Sequence, residues 1–130
     1  MRLLLDTHVF LWYITADSRL PARFQAALQD SSNDVYLSAA SVWEAVIKHN
    51  LGKLSLPRSP AEYLPEQRAV HGIAALPVDD AAMCHLSGLA ALHRDPFDRL
   101  LIAQAMQHER TLVTVDAEIA AYPVNQLATL

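Results

Sequence analysis

The chain is poor in the residues that staple or interrupt a small protein. One of its 130 residues is cysteine, Cys84, so no internal disulfide can form, which suits a reducing cytosol. Three residues are glycine and seven proline, against an apolar fraction of 52%. That balance excludes a disordered or low-complexity chain. No apolar run approaches the roughly 20 residues that span a bilayer. The N-terminus also lacks a charged-then-apolar leader with a small-residue cleavage site. A soluble, cytoplasmic protein with no membrane segment is therefore expected. A surplus of positive charge is missing as well: 14 acids stand against 10 lysines and arginines, a formal charge of −4. Taken alone, that balance argues against a nucleic-acid partner. The length points to a single domain over residues 1–130, with a real core and no room for a second.

What is present is an alternation of short apolar runs and helical stretches. Arg2–Leu5 is expected as a first strand, being too short and too uniformly apolar for an amphipathic helix. His8–Ile14 follows as a short helix. Pro21, with Ser18 as candidate cap, opens a helix with the stripe Phe24, Ala27 and Leu28. A loop over Ser31–Asp34 leads to a second strand, Val35–Leu37. Ser38 or Ser41 then caps a helix running to about Asn50, where Gly52 stops it.

Beyond a loop at Lys53–Arg58, Ser59-Pro60 with Glu62 starts a helix carrying Ala61, Leu64 and Ala69. Gly72–Val78 is a third strand. Asp79-Asp80 begin a helix through Met83, Leu86 and Leu89, with Cys84 as a core filler. Asp95-Pro96-Phe97-Asp98 begin another, through Leu101, Ile102, Ala105 and Met106. Thr111–Val115 is a fourth strand, Ala117–Ala121 a short helix and Val124–Leu127 a candidate last strand. Such alternation implies an α/β fold whose central parallel sheet is covered on both faces.

Four carboxylates sit where that fold would prefer apolar side chains. Asp6 directly follows Leu3-Leu4-Leu5, and Asp116 directly follows Leu112–Val115. Glu44 lies on the stripe Ala40, Trp43, Ile47, and Asp98 heads the stripe Leu101, Ile102, Ala105. Buried acids are rare unless they are paired or bind metal. Strand ends and helix starts share one edge of a parallel sheet, where such folds bind ligands. All four acids are therefore expected to converge. Crowded carboxylates repel unless a cation compensates, and Mg²⁺ or Mn²⁺ suits an all-oxygen set. Such an ion can activate water, stabilise charge on a phosphodiester and invert the local sign of an acidic surface.

The sequence resembles the PIN-domain nucleases, in particular the toxin half of VapBC-type toxin–antitoxin pairs. The resemblance is carried by LLLDTHVFLW at Leu3–Trp12, SAASVWEAVIK at Ser38–Lys48, HRDPFDRLLIAQA at His93–Ala105 and LVTVD at Leu112–Asp116. It implies a PIN-like three-layer α/β/α sandwich and a Mg²⁺- or Mn²⁺-dependent endoribonuclease. It also implies homodimers and a VapB-type antitoxin that blocks the site within a hetero-oligomer. Asp6, Glu44, Asp98 and Asp116 match the family's four acidic positions. Asp6 and Asp98 match its principal metal ligands, Glu44 and Asp116 complete the set directly or through water, and Thr114 matches a supporting polar residue. No organic cofactor is implied.

Other readings of the same residues stand beside these. Asp95 either caps its helix or reaches the metal through water. Asp6 and Asp116 could be simple helix caps, and Glu44 could pair with Lys48 one turn on. Arg99 contacts a phosphate or a neighbouring acid. Trp12, Tyr13 and Trp43 either stack on bases or serve core and interface. Lys48, Lys53, Arg58 and Arg68 form an RNA-facing rim or plain solvated surface. His8 and His93 lie near the acids, but the six histidines lack zinc-ligand spacing. An Asp-nucleophile phosphatase would carry a second Asp where His8 stands. As a binding module, the acidic pocket would dock a basic antitoxin tail, because Arg forks suit carboxylates.

Overall fold

The computed structural model describes residues 1–92 and 95–129. Its elements are β1 (Arg2–Leu5), α1 (Thr7–Ile14), α2 (Ala22–Gln29), β2 (Asp34–Ser38), α3 (Ala39–Asn50) and α4 (Pro60–Val70). β3 (Ala74–Leu76), α5 (Asp80–Ser87), α6 (Pro96–Gln107), β4 (Thr111–Val113) and a 3₁₀ turn at Ile119–Ala121 complete it. The four strands are parallel in the order β3-β2-β1-β4.

Side chains that alternate along the strands feed two separate cores. Leu3 and Leu5 of β1, Val35 and Leu37 of β2 and Val113 of β4 meet Val9, Phe10, Phe24, Ala45 and Leu64 from α1 to α4. On the opposite face Leu4 and Leu112 meet Leu101, Ile102 and Ala105 of α6 with Ile119 and Tyr122. Each fully buried Leu contributes about 1.5–3 kcal/mol of transfer free energy. This is the PIN-like α/β/α sandwich that the resemblance implied. The chain lays β1, β2 and β3 outward on one side, then returns to place β4 against the other edge of β1. Winding direction therefore reverses at the β1–β4 boundary, and a crevice is expected beyond the carboxyl ends of those two strands.

Several expected elements shift. The fourth strand stops at Val113, because the chain turns at Thr114 towards the end of β1. The last strand reduces to one bridge, Gln126 to Leu112. Pro21, not Ser18, occupies the position before α2. Trp43 is 59% exposed and Cys84 is exposed, so neither is a core residue. Helical spacing reveals which residues share a face, but not which face the sheet covers.

Candidate active site

The end of β1 is wired to its neighbours by polar groups that the core encloses. Asp6 is 5% exposed, Glu44 2%, Asp98 8% and Thr114 7%. Asp6 follows the last residue of β1, and its amide donates to Val113 O at 3.0 Å, so β4 is held alongside. That pairing delivers Thr114 to the Asp6 side chain. Thr114 Oγ1 donates to Asp6 Oδ2 at 2.8 Å and accepts from the Asp116 amide at 3.1 Å. One hydroxyl therefore holds the Asp6 carboxylate and the Asp116 backbone.

Glu44 projects from α3, which Ser38 caps by accepting from the Ala40 amide at 3.0 Å. Its two oxygens have different partners. Oε1 accepts from Thr7 Oγ1 at 2.7 Å, and Oε2 takes the Lys48 ammonium at 2.6 Å. Ser41 Oγ lies 2.9 Å from Thr7 Oγ1. A carboxylate only accepts and a hydroxyl carries one proton, so Thr7 gives its proton to Glu44 and Ser41 donates to Thr7. The i,i+4 pairing of Glu44 with Lys48 is thus realised.

α6 starts at the same edge. Asp95 caps it, its Oδ1 accepting from the amides of Phe97 at 2.9 Å and Asp98 at 3.4 Å. Asp98 is buried in the first turn. Asp116 Oδ1 accepts from the Glu118 amide at 2.9 Å, a turn that leads into the 3₁₀ segment.

These side chains share one cleft. A cavity of about 460 Å³ is lined by Asp6, Glu44, Asp95, Asp98, Asp116 and Glu118, together with His8, Trp12 and Val115. The electrostatics describe the same neighbourhood. Burial raises the Asp6 carboxyl above its ordinary value and Glu44 adds to the rise, against the Thr114 bond, His8 and the Thr7 amide. Burial works against charge on Lys48, but its bond to Glu44 and the fields of Glu44, Asp95 and Asp98 leave its affinity for a proton raised. Among the described residues, Lys48 places a positive charge on Glu44 at the cleft.

All of the acids named from the sequence line this cleft. Arg99 does not; its guanidinium donates to Ala90 O at 2.9 Å and to the Tyr122 hydroxyl at 3.3 Å. Arg58 pairs with Glu66. His93 lies outside the described residues. Glu118, Thr7 and Ser41 had no sequence signal, since polar residues flanking helices are ordinary capping material. Ser38, expected from the sequence as a candidate cap, also donates its hydroxyl at 2.5 Å to the fully buried Gln104.

The donor set fits a hard divalent ion. Every acid contributes only oxygen, and a cation would relieve the burial that disfavours charge on Asp6. Among the described residues no three His, Cys, Asp or Glu side chains form a ready-made cage.

A parallel sheet with an acidic crevice at its winding reversal defines an α/β protein whose ligands bind at that edge. The chain matches the PIN domain family over residues 3–125 and belongs to it. Among known proteins it is similar to Ribonuclease VapC16 of Mycobacterium tuberculosis, with 43% identity over 61 residues. That match takes in 47% of this chain and 43% of the relative, so it spans less than half of either. It is also similar in fold to VapBC2 from Rickettsia felis, solved bound to a promoter DNA fragment, with a TM-score of 0.72, 15% identity and 98% of each chain covered. DNA-bound VapBC from Salmonella typhimurium aligns with a TM-score of 0.66 at 17% identity, over 98% of this chain and 97% of that one.

Proposed function

We propose that the chain is a divalent-metal-dependent endoribonuclease, the toxin of a type II toxin–antitoxin pair. The observation that carries this is the convergence of Asp6, Glu44, Asp98 and Asp116 on one cleft, with Thr114 holding the Asp6 carboxylate and the Asp116 backbone. The ribonuclease name of the Mycobacterium tuberculosis relative supports the substrate, and the VapBC complexes of like fold support a VapB-type antitoxin as partner. A homodimer within the toxin–antitoxin assembly and a cytoplasmic location belong to the same proposal.

Asp6 and Asp98 are the residues to hold Mg²⁺ or Mn²⁺, being the deepest Asp carboxylates of the cleft. When bound, the ion supplies Lewis-acid polarisation of the phosphate and makes water a stronger nucleophile at neutral pH. Thr114 keeps Asp6 pointing into the cleft. Glu44 and Asp116 complete the site directly or through water, and Glu44 must exchange Lys48 for its new partner as it does so. Asp95 supports the site by holding the first turn of α6 in place.

The test is cleavage of single-stranded RNA with Mg²⁺ or Mn²⁺, with chelator, and by Asp98→Asn. Cleavage is expected only with the ion and the intact carboxylate. Full activity in chelator, or in the variant, would sink the mechanism.

A second function is supported by Lys48 itself. An ammonium already seated on Glu44 in the field of Asp95 and Asp98 supports a cleft that takes basic side chains. An Arg or Lys from an antitoxin tail would dock in the same way. If the chain binds its antitoxin tightly yet cleaves no RNA under any metal condition, this binding role replaces the enzymatic one.

A further inference from the structure

A second cavity, of about 330 Å³, opens beside the acidic cleft, and His8 and Trp12 line both. Trp12 is half-buried, packing its inner edge on the core. The Arg19 guanidinium lies 5.2 Å from the centre of its ring. Arg19 also grips Asp17 with two donors, at 2.7 and 3.1 Å, so those charges cancel. Among the described residues lining this cavity, Lys53 is then a lysine whose charge no acid is shown to cancel.

Lys53 is held there by the end of α3. The Gly52 amide donates to His49 O at 3.0 Å, and the Lys53 amide donates to Lys48 O at 2.8 Å. This is a Schellman ending, and Gly52 supplies its positive φ of 72°. The loop beyond is pinned as Leu54 and Leu56 pack back onto the core. The backbone under Lys53 is therefore fixed, whatever its side chain does.

We propose that this second cavity is a nucleotide subsite for single-stranded RNA. A base lodges against the Trp12 indole and its phosphate meets Lys53, next along the strand to the scissile phosphate in the acidic cleft. The assignment rests on the ribonuclease function proposed above. It follows from charge: the acids of the cleft repel every phosphate except one bridged by a cation, so the strand needs attraction from an adjoining surface. An aromatic face with a cation beside it is the chemistry that holds single strands without regard to base, since every base has a π-face. Lys53 and Trp12 place that chemistry across the wall that the two cavities share.

The test measures binding of fluorescein-labelled single-stranded RNA to Asp6→Asn protein by anisotropy at several salt concentrations. Lys53→Ala, Trp12→Ala and Trp12→Phe are introduced in that background. Trp12→Ala should weaken binding about tenfold, and Trp12→Phe should retain most of it. Lys53→Ala should weaken binding several-fold and reduce the slope of log affinity against log salt by about 0.7. Circular dichroism checks the fold of the Trp12 variants, and exposed Lys53 supplies a measurement free of that concern. Unchanged affinity and salt slope in Lys53→Ala and in folded Trp12→Ala overturn the subsite and leave the nuclease assignment standing. Absence of RNA binding and cleavage by the unsubstituted chain removes both. Weakened binding to a protein partner with RNA binding unchanged assigns the cavity to protein docking and overturns the subsite.

Discussion

Helices α1 and α6 begin alike and use their leading acids in opposite ways. Asp6 and Asp95 each sit just before the first turn in extended backbone, with φ and ψ of −64° and 148° for Asp6 and −68° and 115° for Asp95. Asp95 turns its carboxylate onto its own helix and caps two amides. Ser38 and Asp79 do the same ahead of α3 and α5. Asp6 makes no capping bond and points instead to Thr114 across the sheet. A cap is worth about 1 kcal/mol, and Asp6 forgoes it while also bearing the cost of burial. The other three leading residues stabilise their helices; Asp6 serves the cleft.

The comparison breaks most clearly on activity. Asp6→Asn should lower metal-dependent RNA cleavage by at least about 100-fold, since even residues that only support a ligand are worth roughly 10- to 100-fold. The same variant should make the metal-free protein more stable, by about 0.5–2 kcal/mol in urea unfolding, because it removes a charge that burial disfavours. Loss of stability in Asp6→Asn would assign that carboxylate to the fold. Thr114→Val is next. It takes the hydroxyl from both Asp6 and the Asp116 amide, and should cost about 10- to 100-fold in divalent-ion affinity, read by titration calorimetry.

Lys48→Met tests the counter-charge. Breaking a fully buried pair costs about 3–5 kcal/mol. The Lys48 side chain is 35% exposed, so water screens the loss and about 1–3 kcal/mol is expected. Saturating Mn²⁺ should recover more of the thermal midpoint in this variant than it adds to the unsubstituted chain, because no ammonium competes for Glu44. Equal gains in the two would show that ion and lysine do not share the carboxylate.

Asp95→Ala has the smaller effect of a lost cap, about 1 kcal/mol of stability in urea unfolding. Its activity should fall far less than that of Asp6→Asn. The mildest signal is in pH. The folded state holds a proton on Asp6 above the ordinary 3.8, so it binds more protons than the unfolded chain from that point up to the raised value. Metal-free stability should therefore fall as pH rises through the window, and Asp6→Asn should remove that part of the slope.

Much of the fold was legible because hydrophobic runs report burial directly. Leu3-Leu4-Leu5 is apolar on both faces, as a central parallel strand must be, and Leu101, Ile102 and Ala105 keep the helical period of α6. The acids were legible because each interrupts such a run. Cys84 was misread for the converse reason: its apolar character matched the pattern, but packing leaves it on the surface. Of the alternatives open for Trp43, exposure excludes the core, because the sheet covers the other side of α3. The Ser41–Thr7–Glu44 chain was invisible, because small polar residues near helix ends look alike whether they cap, turn or support an acid.

The sequence by itself determined the parallel α/β architecture and marked out the acids that line the cleft, both of which depend on residues within one turn or one strand of each other. Only the tertiary structure decided what each acid touches. Asp6 and Thr114 lie 108 positions apart, and they meet because β4 returns to the edge of β1 rather than extending the sheet beyond β3. That strand order sets whether the first carboxylate caps a helix or faces a cleft. Local sequence cannot encode it, since the partner comes from the far end of the chain.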